Sequence, residues 1–74
     1  MPVETLKTTL KVQRAQRDLT QADLAALVGV TRKSNNAIET GKMVPSTLLA
    51  LKLARALGAP VEALFSLEHG HGEL

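Results

Sequence analysis

One short run of polar residues, Thr31-Arg32-Lys33-Ser34, carries the most specific chemistry in the sequence. Arginine and lysine donate hydrogen bonds to phosphate oxygens and to the N7 and O6 acceptors of guanine, and hydroxyl groups can also bond to these surfaces. Thr31 is a residue type that caps helices, so the two cations are expected at the start of a helix. Cations are unfavourable at that end of the helix dipole, which favours a binding role over ordinary solvation.

The 74 residues contain few side chains suited to other kinds of chemistry. Without cysteine there is no disulfide or thiolate metal site, and with Phe65 as the one aromatic residue there is no platform for stacking bases. The two histidines, His69 and His71, lie near Glu68 and Glu73 in a glycine-containing end, a pattern more typical of a tail than of a metal site. We therefore expect no enzyme, no metal and no cofactor.

Charge is unevenly distributed along the chain, although the formal net charge is only +2. Residues 1–45 hold seven cations and four carboxylates, whereas residues 46–74 hold two cations and three carboxylates. A basic front half indicates a polyanionic partner. No segment has the apolar length of a membrane span, and the first residues lack a signal-peptide layout, so a cytoplasmic location is expected.

The elements that would position the polar run are helices. Leucine, alanine, lysine, arginine and glutamine dominate, and no alternating β-branched run indicates a strand. The sequence predicts an all-α, compact five-helix bundle with helices over residues 5–17, 21–28, 32–40 and 47–57 and a short fifth helix ending at 65. Capping residues are expected at Thr20 (with Asp23), Thr31 and Ser46, and helix ends at Gly29, Gly41 and Gly58.

The second and third helices, joined by a tight turn at Gly29, have the helix-turn-helix arrangement. At this point the chain resembles the Cro/repressor type of helix-turn-helix domain, the xenobiotic-response-element family, over residues 10–65. The resemblance rests on an ordered series of blocks: LTQADLA at 19–25, GVTRK at 29–33, AIETGK at 37–42, VPS at 44–46 and ARALG at 54–58. It implies the five-helix phage-repressor fold, double-stranded DNA binding and transcriptional control by a dimer.

Individual roles follow from the positions that match this family. The resemblance places contacts with DNA bases or phosphates at Gln21, Thr31, Arg32, Lys33, Ser34, Asn36 and Lys42, and it implies that Gln21 also braces helix three. It also implies a structural ion pair between Arg14 and Glu39, which links the first helix to the third. If that pair is partly buried, losing one partner costs more than losing both.

Two residues depart from the family pattern. Asn35 stands where the family has a core isoleucine or leucine, and Gln13 stands where many members have leucine. A buried amide without partners costs about 1–3 kcal/mol. One hypothesis is that Gln13 and Asn35 bond to each other across helices one and three. The alternative is that Asn35 turns outward.

A candidate dimer surface lies off the main apolar stripe of helix four. Leu48 and Leu51, with Met43 and Val44 nearby, are predicted to form an exposed patch together with the C-terminal segment.

We expect a sequence-specific regulator, a repressor acting as a homodimer. The domain would cover residues 1–66, with the helix-turn-helix at 20–40 and a short flexible tail at 67–74. The alternative is an antitoxin with the same DNA-binding module and a toxin partner.

Overall fold

Five helices lie between two short strands that pair with each other. The computed structural model describes residues 4–69. In chain order the elements are β1 (Glu4–Thr8), α1 (Leu10–Ala15), α2 (Gln21–Val28), α3 (Arg32–Glu39), α4 (Thr47–Leu57), α5 (Val61–Leu64) and β2 (Phe65–His69).

The two strands show that the all-α prediction was wrong. β1 and β2 form an antiparallel two-stranded sheet in which Leu6 lies opposite Leu67 and Thr8 lies opposite Phe65. β2 alternates apolar and polar residues only over Phe65–Glu68, and β1 has a single apolar residue, Leu6, so neither strand stands out in a helix-rich sequence. The pairing joins residues 4–8 to residues 65–69, so local sequence signals could not reveal it.

The first helix is shorter than predicted because its expected first half belongs to β1. The hydroxyl of Thr8 accepts a hydrogen bond from the backbone N–H of Leu10 at 3.0 Å, at the point where α1 begins. The backbone N–H of Thr9 donates to the carbonyl of Leu64 at 2.9 Å. Strand pairing and this bond tie residues 4–9 to the end of α5 and to β2, so the helix starts only at Leu10.

The central helices agree closely with the sequence prediction. α2 and α4 have the predicted bounds, and α3 ends at Glu39, one residue early. Thr20 and Asp23 form the predicted capping box, and Thr31 and Ser46 cap α3 and α4 through their hydroxyls. Gly29 ends α2 with φ 78°, a left-handed conformation that suits glycine.

The end of the domain differs from expectation. α5 ends at Leu64, and Phe65 begins β2. Residues 67–69, expected in the flexible tail, are part of β2; residues 70–74, with His71 and Glu73, lie outside the described residues. Within residues 4–69 no three His, Cys, Asp or Glu side chains are placed to hold a metal ion.

An aliphatic core joins the helices and positions α3. Its fully buried side chains come from α1, α2, α3, α4 and α5 in turn: Leu10, Leu24, Ile38, Leu53 and Leu64. Phe65 of β2 also packs into this cluster. Over the described part of the chain, none of the helices has the length and apolar character needed to cross a membrane.

Candidate nucleic-acid interface

The start of α3 is exposed and carries the two cations singled out above. Arg32 and Lys33 are exposed, on the first turn of the helix. The Thr31 hydroxyl accepts from the backbone N–H of Ser34 at 3.1 Å and donates to the Ser34 hydroxyl oxygen at 3.1 Å. The cap therefore fixes the first turn of α3 while leaving both long cationic side chains free of the core.

A buried ion pair fixes α3 against α1. The Nε of Arg14 donates to Oε2 of Glu39 at 2.6 Å, and a second guanidinium nitrogen donates to Oε1 at 3.3 Å. The remaining guanidinium nitrogen donates to the carbonyl of Leu19 at 2.6 Å. The Glu39 side chain is only 1% exposed, so its charge is balanced by this two-pronged contact rather than by water.

Two amides complete the coordination of the Glu39 carboxylate. The Gln21 Nε2 donates to Oε1 of Glu39 at 3.1 Å, and the Asn35 Nδ2 donates to Oε2 at 3.1 Å. We call Arg14, Gln21, Asn35 and Glu39 the polar hub. It joins α1, α2 and α3 at one carboxylate, which gives the helix-turn-helix a fixed internal geometry.

Neither hypothesis for Asn35 was right. Its side chain is fully buried rather than turned outward. Its amide bonds to Glu39, with a weaker contact of 3.5 Å to the backbone carbonyl of Gln21. Gln13 instead accepts a bond from Arg17 within α1 and the following turn, at 3.0 Å. Asn35 reaches the buried carboxylate of Glu39 because the two side chains, four residues apart, lie on the same face of α3.

The remaining predicted contact residues lie around the start of α2 and along α3. Gln21 is half-buried, and Asn36 is exposed. They are joined directly, since the Gln21 Nε2 donates to Oδ1 of Asn36 at 2.8 Å. Lys42 is exposed in the turn after α3, and its backbone N–H donates to the carbonyl of Ala37 at 2.9 Å.

Sequence reasoning gave Gln21 two roles, phosphate contact and bracing of helix three, but named no partner for the bracing; the structure joins its amide to both Glu39 and Asn36. It missed the part that Asn35 plays inside the domain. One signal was available for Asn35, because it lies four residues before Glu39 and side chains at that spacing meet on a helix. No comparable signal pointed from Gln21 to Asn36, which lies on another helix.

Electrostatics at the start of α2 are set by its capping box. A hydrogen bond from the backbone N–H of Thr20, and then one involving the Thr20 side chain, hold the pKa of Asp23 below its ordinary value. The ionised carboxylate also faces the favourable end of the helix dipole. The first turn of α2, which carries Gln21, is thereby held in place at neutral pH.

Comparison with known proteins identifies this arrangement of helices. The helix-turn-helix family of the Cro and C1 type matches residues 10–64. The chain belongs to this family. Its members are transcriptional regulators that bind DNA and are not enzymes, so the chain is a helix-turn-helix regulator of the DNA-binding class.

The matches with two relatives of this helix-turn-helix regulator cover nearly the whole length of each relative. An uncharacterized HTH-type transcriptional regulator of Methanocaldococcus jannaschii is 46% identical over 63 residues, covering 85% of this chain and 96% of the relative. The uncharacterized HTH-type transcriptional regulator YgzD of Bacillus subtilis is 44% identical over 63 residues, with the same coverage of each chain, 85% and 96%. Among solved structures, the restriction-modification controller protein C.AhdI of Aeromonas hydrophila is similar, with 36% identity and a TM-score of 0.71. That match covers 76% of this chain and 85% of the controller.

Proposed function

We propose that this protein is a sequence-specific repressor that binds double-stranded DNA as a homodimer, with α3 in the major groove. The observation that carries the proposal is the exposed start of α3, where Arg32 and Lys33 extend from a helix held by the polar hub. Rigid support matters because a reading side chain gains specificity only if its direction is fixed before binding.

The residues around α3 divide into two kinds of contact. Arg32 and Lys33 suit the acceptor atoms on guanine edges. Thr31, Ser34 and Lys42 suit phosphate oxygens at the border of the groove, where they would set the register of the protein on the duplex. The start of α2 adds free backbone N–H groups near Gln21, which favour a phosphate through the helix dipole.

Homodimerisation is supported by apolar surface on the α4 side of the molecule. Val44, Leu48 and Leu51 are each more than half exposed. Val44 and Leu51 line a groove with a cavity volume of about 540 Å³ that also contains Glu62. A second copy related by a two-fold axis would cover the same patch on both protomers.

Charge around this patch also fits a second copy. Leu51 lies between the groove that contains Glu62 and a smaller depression lined by Lys52 and Arg55. In a two-fold arrangement, the cations of one protomer can face the carboxylate of the other. Such a dimer would present two copies of α3 to half-sites about 34 Å apart, one turn of B-DNA.

The proposed mode of repression is steric occupation of an operator. A dimer bound across a promoter excludes polymerase without needing a ligand. The similar controller protein, described as controlling restriction-modification, supports a regulatory role for a small chain of this kind. An antitoxin function stays an alternative outcome; it would show itself by specific capture of a toxin encoded by the neighbouring gene.

Selection of bound sequences from random double-stranded DNA tests the proposal. We expect recovery of an inverted repeat whose half-sites are centred about 10 base pairs apart. Affinity measured against salt concentration then separates phosphate neutralisation from base reading. Recovery of no shared sequence by the wild-type protein would contradict sequence-specific regulation.

A further inference from the structure

The orientation of one exposed amide on the DNA-binding face is determined by the buried carboxylate beneath it. Two guanidinium nitrogens of Arg14 donate to the two carboxylate oxygens of Glu39, and a carboxylate only accepts hydrogen bonds. The Gln21 amide at 3.1 Å must therefore present its Nε2 rather than its oxygen to Glu39. This removes the usual ambiguity between the two ends of an amide.

The same constraint passes from Gln21 to Asn36. The Gln21 Nε2 uses its second hydrogen on Asn36 at 2.8 Å, so Asn36 must present its Oδ1 to that donor. Asn36 lies on the exposed side of α3, and its Nδ2 takes part in no hydrogen bond to another described residue. The amide therefore turns its two donor hydrogens towards a ligand, while its oxygen is directed at Gln21.

We propose that Asn36 acts as a donor to DNA, selecting an acceptor with its outward Nδ2 and disfavouring the two-bond pairing of asparagine with adenine, because its Oδ1 is turned towards Gln21. That pairing needs the asparagine oxygen to accept from adenine N6 while the nitrogen donates to N7. Guanine offers acceptors at both N7 and O6, so it is the best base partner, and a phosphate oxygen offers the same chemistry. This inference rests on the proposed function, because it concerns the same DNA-binding face.

The test compares wild type with Asn36→Ala and Asn36→Asp on the selected operator. Asn36→Asp keeps the shape and an oxygen for Gln21 but replaces the outward donor by an acceptor. If Asn36 contacts a base, guanine is expected at the Asn36-dependent position, and 7-deazaguanine there should weaken wild-type binding about threefold to tenfold, as for one lost hydrogen bond. Asn36→Ala should be insensitive to that analogue, and Asn36→Asp should shift the preference towards cytosine or adenine.

A phosphate contact gives a different pattern that still supports a donor role for Asn36. A methylphosphonate at one position would then weaken the wild type but not Asn36→Ala, and Asn36→Asp would bind all sequences more weakly. Gln21→Ala provides the check on orientation, because freeing the Asn36 oxygen should raise the relative affinity for adenine at a base-contact position. Circular dichroism spectra confirm folding of each variant.

Two results would overturn the inference while leaving the proposed function intact. One is a wild-type preference for adenine at the Asn36-dependent position, lost in Asn36→Ala. The other is selection of an operator that depends on Arg32 but tolerates Asn36→Ala at every base and phosphate. Failure of the wild type to select any sequence would instead remove the proposed function and this inference with it.

Discussion

The polar hub and the aliphatic core hold the same helix by different physical means. α3 contributes Ile38 to the core and its neighbour Glu39 to the hub, so adjacent residues face the two regions. Apolar packing is non-directional and fixes how closely α3 approaches its neighbours. Hydrogen bonds to Glu39 are directional, so they also fix the angle at which α3 and the start of α2 meet a ligand.

The comparison indicates why a small domain retains a buried charge. Replacing such a pair by apolar residues is often neutral or stabilising, so stability alone does not explain the hub. Asn35 makes the same point, since its Oδ1 is buried without a partner. The bonds of the hub instead orient the amide of Gln21 and, through it, the amide of Asn36.

The largest expected effect comes from removing the acceptor at the centre of the hub. Glu39→Ala leaves the Arg14 charge without its partner and two amides without their acceptor, and should cost about 3–5 kcal/mol in the free energy of unfolding. Urea denaturation followed by circular dichroism measures this cost. A core of this size supplies only about 3–5 kcal/mol, so the variant should be close to unfolded.

A core variant and a double variant sharpen this prediction. Leu53→Met keeps side-chain volume in the core and should cost less than about 1.5 kcal/mol. The double variant Arg14→Met/Glu39→Met should be more stable than Glu39→Ala, because no charge is left unpaired. If Glu39→Ala cost no more than Leu53→Met, the distinction between hub and core would be wrong.

A second prediction concerns the apolar surface on α4, which the hub does not reach. Leu51→Glu places a charge in the proposed dimer contact and should raise the dimer dissociation constant at least about tenfold. Val12→Glu is the matched control, since Val12 is equally exposed on α1, at 56% against 55% for Leu51. Sedimentation at several concentrations measures both variants; a wild-type monomer at micromolar concentration would contradict the dimer.

The smallest expected effect is the pH dependence of the α2 cap. The folded state lowers the pKa of Asp23, so its contribution is present above the ordinary carboxyl value of about 4 and is lost as pH falls through the lower folded-state value. Wild type should therefore melt slightly above Asp23→Asn at neutral pH. The difference between their melting temperatures should shrink towards pH 3, and a constant difference would count against the cap.

Elements with strong local signals could be predicted from the sequence, whereas those made by distant contacts could not. α2 and α4 begin at capping residues and end at glycines, so their bounds followed from Thr20, Gly29, Ser46 and Gly58. β1 depends on β2, as in the bond between Thr5 and the carbonyl of Glu68, 63 residues away. No local pattern encodes such pairing.

The candidate site divides in the same way. Position in the helix-turn-helix pattern led to Arg32 and Lys33, and to the pairing of Arg14 with Glu39 that the structure contains. The bond from Asn35 to Glu39 follows from their spacing on α3, whereas the contact of Asn35 with the carbonyl of Gln21 depends on how closely α2 approaches α3, which the sequence does not state. The orientation of the Asn36 amide was still harder to predict from the sequence, because it follows from two successive hydrogen bonds that begin at Glu39.

The central claim is that the start of α3 reads DNA, and operator affinity of matched cation variants tests it most directly. Arg32→Ala and Lys33→Ala should each weaken specific binding by about 1–3 kcal/mol without loss of helix content. Lys7→Ala and Lys11→Ala remove the same charge from exposed positions on β1 and α1, outside both the proposed DNA contacts and the proposed dimer contact, and should leave the preference for operator over random DNA unchanged. Equal loss of that preference in both pairs, or its survival in Arg32→Ala and Lys33→Ala, would contradict the account.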